Sequence, residues 1–166
     1  MYRLSRLKYV FPLGLFVCLL LDGSLSHVWA PLFFRYPYSM ASELVILWLV
    51  LSYFFEDGIE IPLIPFAIAA GVVADVYISG ILGLYMVLFP CIVALTRMFA
   101  HYFTPSFLTN IMIFFVDLVV FATVNYWAYY LAFSLAPTLA LNLVYFVVLY
   151  WPIRSLYSWA TTEKTM

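Results

Sequence analysis

The chain alternates long apolar runs with short breaks made of prolines, glycines and one acidic turn at 56–60. Apolar runs of about 20 residues are typical of membrane-spanning helices, because the hydrocarbon core of a bilayer is about 30 Å thick. The pattern predicts an all-α integral membrane protein, a compact bundle of six transmembrane helices. Their approximate ranges are 9–28, 38–55, 63–78, 82–98, 107–130 and 139–156.

The composition agrees with a membrane protein and argues against a separate soluble domain. Hydrophobic residues make up 67% of the chain and charged residues 9%, and the mean hydropathy is +1.09. Soluble domains are about half apolar and about a quarter charged. We therefore expect a single transmembrane domain over 1–166, in contact with the lipid bilayer. The net charge of -1 argues against a nucleic-acid partner, which requires clustered Lys and Arg.

The distribution of basic residues predicts the orientation of the helices. Cytoplasmic loops carry the excess of Lys and Arg. With six spans and a cytoplasmic N-terminus, only Arg35 lies outside. The six inner basic residues are Arg3, Arg6, Lys8, Arg97, Arg154 and Lys164. Both ends are therefore predicted to be cytoplasmic. Pro31 follows the small-residue site Val28-Trp29-Ala30, so we expect the first helix to be retained rather than cleaved.

Small and polar residues form a stripe on the third predicted helix. Ala67, Gly71, Asp75 and Ser79 recur every four residues and therefore share one helix face. Gly80 and Gly83 follow in the next turn. Small residues allow close approach of a neighbouring backbone, and Asp75 could then find a donor there. The stripe is interpreted either as an internal packing seam or as a docking face for a partner.

Among the polar residues inside the other predicted spans, Asp117 in the fifth and Asn142 in the sixth stand out. Polar groups at membrane depth usually face the bundle interior or a cavity. Asp117 is flanked by apolar residues, so we expect it to be neutral unless it is paired. Its candidate partners are Asp75, Asn142, Tyr126 and Tyr145. Asp22 is expected to reach water near the outer end of the first helix.

The sequence contains no recognisable catalytic or metal-binding motif. Two intramembrane aspartates, Asp75 and Asp117, could form an aspartyl-protease pair. However, Val72-Val73-Ala74 precedes Asp75, in place of the Gly-x-Gly that precedes the aspartate in such enzymes. Cys18 and Cys91 lie in apolar runs without metal-ligand spacing and are expected to be buried. We therefore predict no enzyme activity, no cofactor and no metal.

Several linked segments resemble the family of the rod-shape-determining protein MreD. They are Gly71-Val-Val-Ala-Asp75 with Ser79-Gly80-Ile-Leu-Gly83, Phe34-Arg35-Tyr-Pro37 leading into Glu43-Leu-Val-Ile-Leu-Trp48, Asp117-Leu-Val-Val-Phe121, and Asn142 with Trp151-Pro152-Ile-Arg154. Together they cover nearly the whole chain in the order found in that family. The loop before Pro37 is more aromatic than is usual there, and the spacing from Asp75 to Gly80 is one residue longer than in some members.

The resemblance implies a non-enzymatic scaffold subunit of the bacterial cell-elongation machinery, in the cytoplasmic membrane. Such a subunit binds MreC, a single-span protein with an extracytoplasmic coiled coil, and helps organise peptidoglycan synthases and, where present, MreB. The alternative is the substrate-binding component of an energy-coupling-factor vitamin transporter, which has similar size and topology. That alternative requires a polar cavity open to the outside.

Overall fold

The computed structural model describes residues 4–33, 35, 40–55, 62–129 and 135–161. Within these ranges the chain is helical apart from short connections, so the prediction of an all-α protein is confirmed for the described residues. The elements in chain order are α1 (Leu4–Val28), α2 (Ala30–Phe33), α3 (Leu44–Phe55), α4 (Leu63–Ala74), a π-helical turn (Asp75–Ser79), α5 (Leu84–Tyr102), α6 (Phe107–Tyr129) and α7 (Leu135–Thr161).

Four of the described helices are long and apolar enough to cross a bilayer. Their apolar stretches are Tyr9–Val28, Leu84–Tyr102, Phe107–Trp127 and Leu135–Ala160. Two further apolar helices, Leu44–Phe55 and Leu63–Ile78, are shorter. The four long helices indicate a multi-pass membrane protein.

The short helix α3 is the centre of the bundle. It packs against α1, α4, α5, α6 and α7, and every residue from Leu44 to Ser52 is buried. A helix that is apolar on all sides is expected to be surrounded in this way. Its 12 residues extend about 18 Å at 1.5 Å per residue. Because Leu44 is already buried, α3 begins inside the bundle and not at its surface.

Close packing of α3 against α1 depends on a glycine. A Cβ atom on Gly14 would collide with the indole ring of Trp48, so the missing side chain provides the space for that ring. The indole Nε1 donates a hydrogen bond to the Phe11 carbonyl oxygen at 3.1 Å. One turn further along α3 the hydroxyls of Ser52 and Tyr157 are hydrogen-bonded, which joins α3 to α7.

The observed helices differ from the predicted ranges at several ends. The second predicted helix, 38–55, begins only at Leu44, because residues 40–43 are not helical; residues 38 and 39 lie outside the described part. The sixth, 139–156, extends over Leu135–Thr161. Pro137 is accommodated in its first turn, where a missing N–H removes no helical hydrogen bond. The fourth, 82–98, begins at Leu84 and continues to Tyr102.

Candidate functional site

The small-polar stripe of α4 faces α5. Ala67 and Asp75 are almost fully buried, with 0% and 1% of their surfaces exposed, and Gly71 is buried between them. A Cβ atom built on Gly71 would lie 2.6 Å from the Met86 Cα and would also collide with the Tyr85 carbonyl. The backbones of α4 and α5 therefore meet at Gly71. The structure uses this face of α4 for packing within the bundle.

Asp75 holds the start of α5. Its carboxylate accepts hydrogen bonds from the backbone N–H groups of Gly83 at 2.8 Å, Tyr85 at 2.8 Å and Met86 at 3.2 Å. The first N–H groups of a helix have no partner within the helix, and a negative charge there is favourable. The motif Gly71-Val-Val-Ala-Asp75 thus combines close helix approach with a helix cap. We call the result the α4–α5 hairpin.

The turn of this hairpin contains Ser79, the last residue of the stripe, and the two glycines that follow it, Gly80 and Gly83. After the π-helical turn, Gly80 and Gly83 adopt φ values of +67° and +104°, which favour glycine. The Gly80 N–H donates to the Asp75 carbonyl oxygen at 2.8 Å. The backbone of Ser79 belongs to the π-helical turn, while its side chain lies outside the described residues. These glycines bring the start of α5 back to the Asp75 carboxylate.

Asp22 caps α3 in the same manner, which corrects the expectation that it reaches water. Only 7% of its surface is exposed. Its carboxylate accepts hydrogen bonds from the Ser42 hydroxyl at 2.8 Å and from the N–H groups of Leu44 and Val45, both at 3.0 Å. A residue of α1 therefore satisfies the first donors of the central helix.

Asn142 and Thr138 of α7 hold the non-helical residues that precede α3. The Asn142 side chain accepts a hydrogen bond from the Glu43 N–H at 2.9 Å and donates to the carbonyl oxygens of Ala41 and Thr138, both at 2.8 Å. The Thr138 hydroxyl accepts from the Ala41 N–H at 3.2 Å. We define Asp22, Thr138 and Asn142 as the α3 clamp, because together they bind backbone groups of Ala41, Glu43, Leu44 and Val45.

Asp117 of α6 pairs with Thr96 of α5, which is none of the four partners expected from the sequence. Thr96 Oγ1 lies 2.6 Å from Asp117 Oδ2 and 2.9 Å from the Ile92 carbonyl oxygen. A hydroxyl has one hydrogen to donate. The Thr96 hydroxyl is the donor toward both acceptors, the Asp117 carboxyl and the Ile92 carbonyl. Among the described residues, no hydrogen-bond partner contacts the buried Asp117 Oδ1.

The two aspartates that could have formed a catalytic pair are held at different depths. Asp75 bonds to α5 at Met86, and Asp117 bonds to the same helix at Thr96, ten residues later. At 1.5 Å per residue these points are separated by about 15 Å. The arrangement therefore does not bring the carboxyl groups together to share a proton.

Sequence reasoning missed Asp22, Thr96 and Thr138 as positioning residues. The burial of Asp22 could have been predicted, since a carboxylate in an apolar run is expected to face the bundle interior. No sequence feature predicted the roles of Thr96 and Thr138, because threonine is common in membrane helices and its hydroxyl often bonds to the backbone of its own helix. The cysteines also differ from the expectation that they are buried, since Cys18 is half-buried and Cys91 is exposed.

Comparison with known proteins gives no match: no family model, no curated protein and no solved structure corresponds to this chain.

Proposed function

We propose that this protein is a non-enzymatic scaffold subunit of the bacterial cell-elongation machinery. In this proposal it lies in the cytoplasmic membrane and binds an MreC-like single-span protein, together with peptidoglycan synthases. The proposal starts from the sequence resemblance to the MreD family. The structural observation that carries it is the use of Asp22, Asp75 and Asn142 to hold the backbones of other helices. Such residues serve to build a rigid bundle.

The surface of the bundle supports a role in contacts within the membrane. Large apolar side chains are exposed along the long helices, among them Leu13, Val87, Leu108 and Val148. In a bilayer such side chains contact lipid tails or other membrane helices. With the α4 stripe packed against α5, an MreC-like helix would bind an outward face of the bundle.

The proposal includes six spans, with both ends in the cytoplasm. The four long helices account for four of them, and α3 and Leu63–Ile78 would supply the others. Non-helical backbone at membrane depth is tolerated where it is buried in protein and its polar groups are satisfied. Thr138 and Asn142 of the α3 clamp bind the non-helical backbone of Ala41 and Glu43 in this way. The six-to-one distribution of basic residues supports the orientation.

Co-purification tests the proposal. The chain and an MreC-like protein encoded by the same genome are co-expressed, and an unrelated single-span protein serves as the control. We expect the MreC-like protein to be retained in detergent and the control to be lost. Equal recovery of the two would contradict the proposal. Recovery of ATP-hydrolysing coupling subunits with the chain would instead support the vitamin-transporter alternative.

A further inference from the structure

One face of α7 changes in chemical character along the helix. In the middle of the helix its exposed side chains are Val144, Val147 and Val148. Toward the C-terminal end the same face exposes Trp151, Arg154, Ser155, Ser158 and Trp159. These positions recur every three or four residues and therefore lie on one side of the helix. We call the second set the Trp151–Trp159 face.

The change from valines to tryptophan and arginine indicates how deep this face lies in a bilayer. α7 has 27 residues and is about 40 Å long at 1.5 Å per residue. The hydrocarbon core is about 30 Å thick, and a helix tilted by the usual 20° or so still exceeds that thickness. Exposed valines suit lipid tails, whereas tryptophan and arginine are typical of the headgroup region. The Trp151–Trp159 face therefore lies at the depth of the lipid headgroups.

The Arg154 side chain is positioned by its neighbour on this face. Its guanidinium carbon lies 5.7 Å from the centre of the Trp151 ring, which is within the range of a cation–π interaction. The Trp151 ring in turn contacts the buried Tyr150 ring edge-on, with 5.7 Å between the ring centres. Within the described part of the chain, no carboxylate forms an ion pair with Arg154. Its positive charge can therefore meet an anion from outside these residues.

The chemistry of this face fits a phosphate group. A planar guanidinium can donate two parallel hydrogen bonds to phosphate oxygens. Ser155 follows Arg154 on the same face, and its hydroxyl can donate to a further oxygen. In phosphatidylcholine the phosphate already lies next to the ammonium group of its own headgroup. In phosphatidylglycerol the phosphate has no such counter-ion, so an exposed arginine at headgroup depth favours the anionic lipid.

We propose that the Trp151–Trp159 face binds the headgroup of an anionic phospholipid. The Arg154 guanidinium contacts the lipid phosphate, the Trp151 and Trp159 rings lie beside the headgroup, and the exposed valines of α7 contact the acyl chains. This inference goes beyond the proposed function and does not depend on it.

Native mass spectrometry of the purified protein tests the proposal. Detergent micelles contain equal amounts of phosphatidylglycerol and phosphatidylcholine, and the spectrum gives the ratio of the two lipids retained on the protein. We expect Arg154→Gln to lower that ratio about fivefold, which corresponds to the loss of one basic residue at the membrane surface. Trp151→Leu removes the ring beneath the guanidinium and should lower the ratio about two- to fivefold.

Matched variants separate this face from a general attraction between charges. Arg97→Gln changes an exposed arginine of α5, and Trp127→Leu changes a tryptophan of α6 that is 77% exposed. Both should leave the lipid ratio unchanged, and thermal unfolding in detergent checks that all four variants are folded. An equal loss in Arg97→Gln, or no loss in Arg154→Gln, would overturn the proposal. Displacement of phosphatidylglycerol by excess glycerol phosphate would assign the face to a soluble phosphate and would also overturn it.

Discussion

The Asp22 carboxylate accepts a hydrogen bond from the Leu44 N–H at 3.0 Å, across 22 residues of chain. This contact allows α3 to begin inside the bundle. The first four N–H groups of a helix need partners from outside it, and Leu44 and Val45 are buried among the surrounding helices. A carboxylate from α1 supplies the missing acceptor and also interacts favourably with the helix dipole.

Removing the Asp22 carboxylate should destabilise the protein. Asp22→Leu leaves the N–H groups of Leu44 and Val45 buried without an acceptor. We expect a loss of about 2 to 6 kcal/mol in the free energy of unfolding, since each of the two unsatisfied buried donors costs about 1 to 3 kcal/mol. Asp22→Asn keeps one oxygen and should lose less. Thermal unfolding in detergent measures both, with the exposed Ser24→Ala as control. Unchanged stability of Asp22→Leu would show that the cap contributes nothing.

Two glycine-to-alanine changes should have opposite effects. At Gly71 a methyl group meets the α5 backbone, and overpacking of this kind costs about 1 to 3 kcal/mol. At Gly23 of α1 nothing lies within 4 Å of the added atom, so alanine should stabilise the helix by about 0.5 to 1 kcal/mol. Unfolding midpoints measured side by side test the pair. A Gly71→Ala variant of normal stability that no longer binds an MreC-like protein would favour the docking interpretation of the stripe.

The packing of Gly14 against Trp48 predicts a strong coupling between these residues. Gly14→Ala alone should destabilise the protein by about 1 to 3 kcal/mol, because the buried indole has no free space to move into. Trp48→Phe alone loses the hydrogen bond to Phe11. In the double variant the smaller ring leaves space for the added methyl group. A double-mutant cycle should therefore give a favourable interaction energy, and simple additivity would contradict the packing described here.

The protein should tolerate a neutral replacement of Asp117, but a cationic replacement should prevent its normal accumulation in the membrane. Asp117→Asn keeps the shape and can still bond to Thr96. Asp117→Lys places a longer, charged side chain at a fully buried position, where an unpaired charge is strongly unfavourable. Membrane accumulation measured by immunoblotting should be near normal for Asn and greatly reduced for Lys. Similar accumulation of the two variants would mean that the residue faces water.

Reporter fusions test the six-span arrangement. A fusion at Met166 should be active only in the cytoplasm, and a fusion after Pro31 only outside, because the proposed six-span arrangement places the excess of basic residues on the cytoplasmic side. Paired alkaline phosphatase and fluorescent-protein reporters distinguish the two sides. Extracytoplasmic activity at Met166 would require an odd number of spans.

The sequence by itself determined the class of the protein and the approximate position of its helices. Long apolar runs of low charge make helices in a bilayer the stable solution, because only helical or barrel backbones satisfy their own polar groups there. Local spacing also marked the α4 stripe, since residues four apart share a helix face. The spacing alone therefore predicted that Gly71 and Asp75 lie on the same face of the helix.

Only the tertiary structure decided where α3 begins and which groups satisfy the buried polar atoms. The helix starts at Leu44 because Asp22 and Asn142 meet it there, and Asn142 is 99 residues away from Glu43 in the chain. Asp117 finds Thr96 because α5 and α6 pack at that depth. Periodicity describes one helix at a time. Hydrogen bonds between helices depend on relative depth and rotation, which packing of the whole bundle sets.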